Sequence, residues 1–447
     1  MTTRTIPQAS LGARLVLLVK SRQCGLAASA VFVLGGMGYF FVWFSAVHHG
    51  KFWNTPGDIW LTFQVAGRVV HGHVGTIYVR DPDNFLTFPG IIFVLSPMAA
   101  LTSALHLTAD VAPNHIVAQP SAWLLLAPYI LLLSTVPLLA CDALAERLGV
   151  AVPRRLLLGA GGVVALWGVT VVWGHPEDAM AVGFSLYALL FVIDKRWHGA
   201  AWLFGVAVAL QPLVLVTLPL VLVLATWNEA PGLLVRAAVP SVAVLAGPLV
   251  ANFHLTAKTL FQQPGYPNAD HATPWTALAP HLFGKGLGSA VAAGPGRLVL
   301  IIVACGVAWW AKRWRDRPEM LIWAFALFLA LRPLTESVML PYYLYPALAV
   351  GMLAASRAAS WRFLLAIALS AFVTVSSQWR LGWASWWFLN LSAMVAVVAL
   401  GANPKAPLHR AATIRAPRSK VESKFHTDRG RGVARRKQQR SQRPRKR

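Results

Sequence analysis

The chain has 447 residues, of which 57% are hydrophobic and only 13% charged, and its mean hydropathy is +0.57. An ordinary soluble domain carries about 25% charged residues, so this composition excludes a water-soluble globular protein. The net charge of +24 is concentrated at one end: residues 403–447 hold 16 Lys or Arg against Glu422 and Asp428 alone.

Residues 1–24 read as a cytoplasmic N-terminal segment carrying Arg4, Arg14, Lys20 and Arg22. The apolar run that follows is too long for a signal-peptide core and has no small-residue cleavage pattern behind it, which predicts an uncleaved first helix. Further crossings are expected at roughly 121–141, 157–174, 177–194, 236–253, 297–311, 318–335, 339–356, 361–377 and 384–402, after a first at 25–47. Two stretches fit this series less well. Phe88 to Leu105 is short and contains Pro89, Gly90 and Pro97, and Ala200 to Ala225 is interrupted by Gln211-Pro212. Helix-length apolar segments, rather than alternating strands of roughly ten residues, exclude a β-barrel. The expected fold is an all-α polytopic integral membrane protein of about 10–12 transmembrane helices across 25–402.

Charge sets the expected orientation. Suppose 88–105 is only embedded and 200–225 returns to its starting side. Then Arg147, Arg154, Arg155, Lys195, Arg196, Arg236, Lys312, Arg313, Arg315, Arg317, Arg357 and Arg362 share one side with both termini. That side is expected to be the cytoplasm, with the chain in the plasma membrane. The loops 48–87 and 254–297 then fall outside, with the His175–Asp178 corner and the Arg332–Tyr343 stretch. The 403–447 segment has too few large apolar residues to offset the entropy of ordering, so it reads as a disordered cytoplasmic tail. Its expected partner is anionic lipid, and nucleic acid is not expected, because nothing folded accompanies the charge.

The first outer loop carries an amphipathic surface helix in which Ile59, Phe63, Ala66, Val69 and Val70 recur at helical spacing. Asp58 stands at its start after Pro56-Gly57, where a carboxylate serves as an N-cap or as a reactive group. An acid just after the first crossing, then Ala66-Gly67-Arg68, Gly72, Tyr78 and Phe88-Pro89, resembles the GT-C fold glycosyltransferases. Within these the pattern is most similar to the polyprenyl-phosphate-mannose-dependent family that includes bacterial α-mannosyltransferases. The detailed likeness covers about 50 residues, and it departs from the family where a Pro-Pro pair is replaced by Pro89-Gly90. The resemblance implies a GT-C-like bundle, Asp58 as catalytic base, inversion at the anomeric carbon and no metal or other cofactor. Its implied partners are a polyprenyl-phosphate-linked sugar donor and a glycolipid or cell-wall glycan acceptor.

Two further constellations carry chemistry. His175-Pro176-Glu177-Asp178 puts three ionisable groups at the junction of two apolar segments, where such residues are costly without a role. They read as acceptor-binding groups or supports for Asp58. The competing reading is that Pro176 starts a helix whose dipole Glu177 and Asp178 complement. A metal site is a further alternative, although the spacing is not that of an established metal motif. Arg332 and Glu336 stand i,i+4 across Pro333, followed by Pro341-Tyr342-Tyr343. They form a structural ion pair, or Arg332 binds the donor phosphate beside a sugar site lined by Tyr342. Lys258, with His254, His271 and His281, is a weaker candidate for phosphate or acceptor binding, and the Trp379–Trp387 cluster reads as an interfacial aromatic belt. Cys24, Cys141 and Cys305 form no metal or disulfide pattern and read as packing residues. No nucleotide-binding, Gly-x-Ser-x-Gly or zinc motif occurs.

These features predict a membrane glycosyltransferase acting on the extracytoplasmic face. A transporter or lipid flippase is the alternative, supported by the break at Gln211-Pro212. A third reading is a non-catalytic scaffold that recruits partners through its tail.

Overall fold

The computed structural model describes residues 21–78, 88–107, 119–267, 271–283, 290–379 and 381–402. The expectations for the N-terminal segment before residue 21 and for the basic tail 403–447 lie outside these residues. The described chain is almost entirely helical, and a two-stranded antiparallel ribbon, β1 (His281–Phe283) and β2 (Ala290–Val291), is the sheet it contains.

Helix α1 (Gln23–Val47) includes a π-helical turn at Gly38–Trp43. The surface helix α2 (Gly57–Val70) forms where the apolar spacing predicts it, and buries Ile59, Trp60, Phe63, Val65 and Ala66 while Val70 stays exposed. It packs along α3 (Gly90–Ala104), whose 15 residues span about 22 Å and fall short of a bilayer core of roughly 30 Å. The approach is close at the start of α3. A Cβ on Gly90 would meet the Ala209 carbonyl oxygen at 2.0 Å, so any other residue there forces the two backbones apart.

The next crossing is longer than expected. Helices α4 (Trp123–Leu133) and α5 (Val136–Arg147) meet at a bend at Ser134-Thr135, and together make one apolar span of 25 residues. Helix α6 (Val152–Trp167) starts earlier than expected because Pro153 occupies its first turn, and it ends in a second π-helical turn at Gly168–Val172. Helix α7 (Pro176–Ile193) follows. The interrupted stretch is α8 (Trp197–Leu210), an extended Gln211, a 3-10 turn at Pro212–Thr217 and α9 (Leu218–Leu224). Pro212 lacks the N–H that would continue α8. The chain then turns back, and near the end of α9 the carbonyl of Val223 accepts from Arg315 at 3.3 Å.

The remaining helices are α10 (Ala230–Ala251), α11 (Phe253–Gln262), α12 (Gly296–Ala311), α13 (Pro318–Thr335), α14 (Tyr345–Ala355), α15 (Ser360–Ser376) and α16 (Trp383–Gly401). Among the described residues, seven helical spans are long and apolar enough to cross a membrane: α1, α4–α5, α6 with its π turn, α7, α10, α13 and α16. The crossing expected at 339–356 is the largest departure. Residues before Pro341 are drawn out of helix, and the 11-residue α14 is buried on every side. Elsewhere large apolar residues face outward, including Leu34, Leu132, Val242, Val250 and Ile302. A surface of this kind belongs in lipid rather than water. The chain is therefore an all-α, membrane-embedded protein.

One set of ionic contacts gathers at one end of the bundle. Arg22 pairs with Glu146, Arg155 with Asp142 at 2.7 Å, and Arg147 with Asp194 at 2.9 Å. Arg154 donates to the Ser356 and Ala358 carbonyls, and Arg362 to those of Ala399 and Ala402. Cys24 and Cys141 are buried packing residues as expected, whereas Cys305 is exposed on α12.

Candidate functional site

At the opposite end, the sequence brings three separate segments together. Gly174 has φ +73°, a left-handed conformation that side chains disfavour, and a Cβ there would lie 2.8 Å from Pro56 Cβ. This glycine lets the turn before α7 sit directly on the start of α2. His175 Nε2 reaches Asp58 Oδ2 at 2.9 Å, and His175 Nδ1 reaches Glu177 Oε1 at 2.7 Å. Asp58 makes no cap on its own helix: Pro56 is the N-cap residue, and no side-chain bond closes that terminus. The expectation of a simple capping role is corrected, since the carboxylate is used across the fold.

The three groups differ sharply in exposure. The side chain of Asp58 is 53% exposed, whereas those of His175 and Glu177 are 7% and 3% exposed. Burial alone would drive the proton off His175. The Glu177 carboxylate and the hydrogen bonds to Asp58 and Glu177 outweigh this, and hold its pKa well above the ordinary value. Asp178 is buried at 1% exposure, and neither of its carboxylate oxygens has a partner at good hydrogen-bonding geometry. The Gln211 side chain approaches it as a weak donor, and the charges of Glu177, His175 and Arg332 act on it.

Aromatic rings continue the site. The Tyr342 ring stacks on His175 with centroids 3.9 Å apart, Trp173 lies 5.7 Å from Tyr342, and Tyr343 lies 4.9 Å from Tyr342. The Arg332 guanidinium lies 4.2 Å from the Tyr343 ring centre. Arg332 donates to Glu336 at 2.9 Å, so α13 holds the expected pair despite Pro333 in its last turn. Arg297 at the start of α12 donates to the same carboxylate at 3.3 Å and also bonds Gln263. Burial would raise the Glu336 pKa, but Arg332 and then Arg297 more than reverse this and hold it below the usual carboxylate value.

The loop between α11 and α12 covers this segment. Thr273 Oγ1 donates to the Glu336 carbonyl, Trp275 Nε1 to Leu334 and Thr276 Oγ1 to Ser337, while Met339 N donates to His271. The His271 ring lies 6.4 Å from Trp173, which places this loop beside the site. Asp58, His175, Glu177, Asp178, Tyr342, Arg332 and Glu336 thus come together as one polar cluster. Lys258 does not join it. Helix α11 turns Lys258 and His254 outward, and neither makes a described hydrogen bond or ion pair. Trp379 and Trp383 are exposed, whereas Trp386 is buried and donates to the Ser377 carbonyl at 2.9 Å, so it lies outside any interfacial belt.

Sequence reasoning passed over Arg297, Gln211 and Gly174 as site residues. Arg297 was legible as the lone charge opening an apolar run. The positive φ of Gly174 has no sequence signal beyond the glycine itself.

Comparison with family models, curated protein sequences and solved structures finds no match to this chain. The site therefore stands on its own chemistry: a solvent-open carboxylate held by a buried imidazole–carboxylate pair, joined through an edge-to-face pair of tyrosines to two arginines sharing one acid.

Proposed function

We propose that this protein is a membrane glycosyltransferase that moves a sugar, mannose in the first instance, from a polyprenyl-phosphate donor to a glycolipid or cell-wall glycan on the extracytoplasmic face. In this reading both termini are cytoplasmic and the membrane is the plasma membrane. The observation that carries it is the contrast within the acidic cluster. Asp58 is half exposed and oriented by His175, while Glu177 and Asp178 are closed off. That is the arrangement a general base requires, with one oxygen fixed and the other open to an incoming hydroxyl.

The acceptor hydroxyl gives its proton to Asp58 as its oxygen bonds to the anomeric carbon. The sugar–phosphate C–O bond breaks on the opposite side, and its electron pair leaves with the polyprenyl phosphate. Arg297 and Arg332 receive that charge. They share Glu336, so their combined charge exceeds that of their partner by one. In this reading Tyr342, stacked on His175, and the partly exposed Tyr343 line the sugar site between the two polar ends.

The test is transfer of radiolabelled mannose from polyprenyl-phosphate-mannose to membrane lipids, comparing wild type with Asp58→Asn. The variant is expected to be made and folded normally and to lose transfer by at least about 100-fold, the scale of general-base catalysis. Full activity in Asp58→Asn removes Asp58 from the role.

One observation favours the second reading, a transporter or lipid flippase. The α8–α9 break at Gln211 faces the buried Asp178, and interrupted helices with buried acids line transport sites. Substrate flux through proteoliposomes without any transfer product supports that reading.

A further inference from the structure

We propose that His175, Glu177 and Asp178 form a binding site for one divalent first-row cation of the zinc or manganese kind, with Asp58 as the outer carboxylate that orients the imidazole. This goes beyond the sugar-transfer reading and does not rest on it. It also opposes the metal-free expectation that the family resemblance carries.

Three observations converge. One donor atom from each residue lies within 4.8 Å of the others, and all three residues are buried. Zinc–nitrogen and zinc–oxygen bonds are about 2.0–2.2 Å long, so donors around one tetrahedral ion stand about 3.4 Å apart. Ångström-scale side-chain movements close the difference, with the His175 Nδ1 to Glu177 contact opening to admit the ion.

Asp178 supplies the second, independent sign. A fully buried carboxylate with neither oxygen well bonded is among the most costly groups a fold can contain. Its cationic neighbour Arg332 is already engaged by Glu336 at 2.9 Å. The Gln211 amide offers one dipole toward it and no charge. A cation gathered by Asp178, Glu177 and His175 removes this cost and uses both acids.

The imidazole is prepared for the task. Nε2 keeps its hydrogen bond to Asp58 while an ion displaces the Nδ1 proton now shared with Glu177, which gives the carboxylate–histidine–metal arrangement of many metalloproteins. One nitrogen and two carboxylates suit zinc or manganese. Calcium takes six to eight oxygens, more than these residues supply.

The experiment uses the full chain in lipid nanodiscs, stripped with a chelator and titrated with Mn2+ while free and bound ion are measured by electron paramagnetic resonance. Wild type is expected to bind one Mn2+ per chain, with nitrogen coupling from the imidazole in the pulsed spectrum. Asp178→Asn is expected to weaken binding at least tenfold while the metal-free protein melts no lower than wild type. His175→Gln is expected to lose the nitrogen coupling. Absence of saturable one-to-one binding in wild type overturns the proposal, and so does equal binding by Asp178→Asn. No readout involves sugar transfer, so failure here and failure of the transferase reading are separable.

Discussion

At the scale of single residues, the site is a set of ionisable groups that lipid would not tolerate unpaired, and this is why most of it was legible in advance. Asp58, the His175–Asp178 run and the Arg332–Glu336 pair stand out against a chain that is only 13% charged. Their partners were not legible, because pairing depends on backbone turns such as Gly174 and on a loop arriving from 263–297. Glu336 makes the dependence measurable. Its pKa is lowered in the folded protein, so between the ordinary Glu value of about 4.3 and its lower folded value the unfolded chain binds a proton that the folded one does not. The stabilisation it provides is complete above that window and disappears as the pH falls through it. Thermal melting across the window is expected to fall more steeply for wild type than for Glu336→Gln. At neutral pH Glu336→Gln is expected to cost roughly 3 kcal/mol, because it leaves Arg332, whose side chain is only 15% exposed, without its charged partner. Parallel acid profiles in the two proteins would contradict this assignment.

At the scale of elements, helix positions followed from apolar length and helix ends from proline, but lengths failed where burial was complete. Helix α14 is buried on all sides, so its sequence looks like a crossing although it is only 11 residues long. The break at Gln211 was visible because Pro212 announces it. The close packing of α3 on α8 was not, because a glycine in an apolar stretch has many explanations. Here the explanation is contact with the Ala209 carbonyl, and the neighbour is backbone that cannot swing aside. Gly90→Ala is expected to lower stability by about 1–3 kcal/mol, the usual penalty for overpacking. The gain of about 1 kcal/mol in helix propensity from glycine to alanine would offset part of it. A melting temperature equal to wild type would mean that α3 shifts freely against α8.

At the scale of the whole molecule, charge placed the ends of the helices better than it placed their contacts. Arg22, Arg147, Arg154, Arg155 and Arg362 do gather at one end of the bundle, and the polar cluster sits at the other. The transferase reading assigns catalysis to residues before 403, which separates it from the scaffold reading. A chain ending at 402 is expected to retain most of its transfer activity while losing salt-sensitive binding to anionic vesicles. Loss of transfer on truncation would favour the scaffold. The π-helical turn at Gly168–Val172 has one more consequence. Such a turn is one surplus residue absorbed by a helix without lengthening it much, and each α-helical residue advances the winding by about 100°. Wound as a regular α-helix with every residue kept, α6 would turn everything that follows by nearly a third of a circle, and the imidazole would be dialled away from Asp58. Deleting one residue from the turn would regularise the helix and keep the observed phase. The irregularity thus works as a phase offset between a lipid-facing cylinder and the chemistry at its tip.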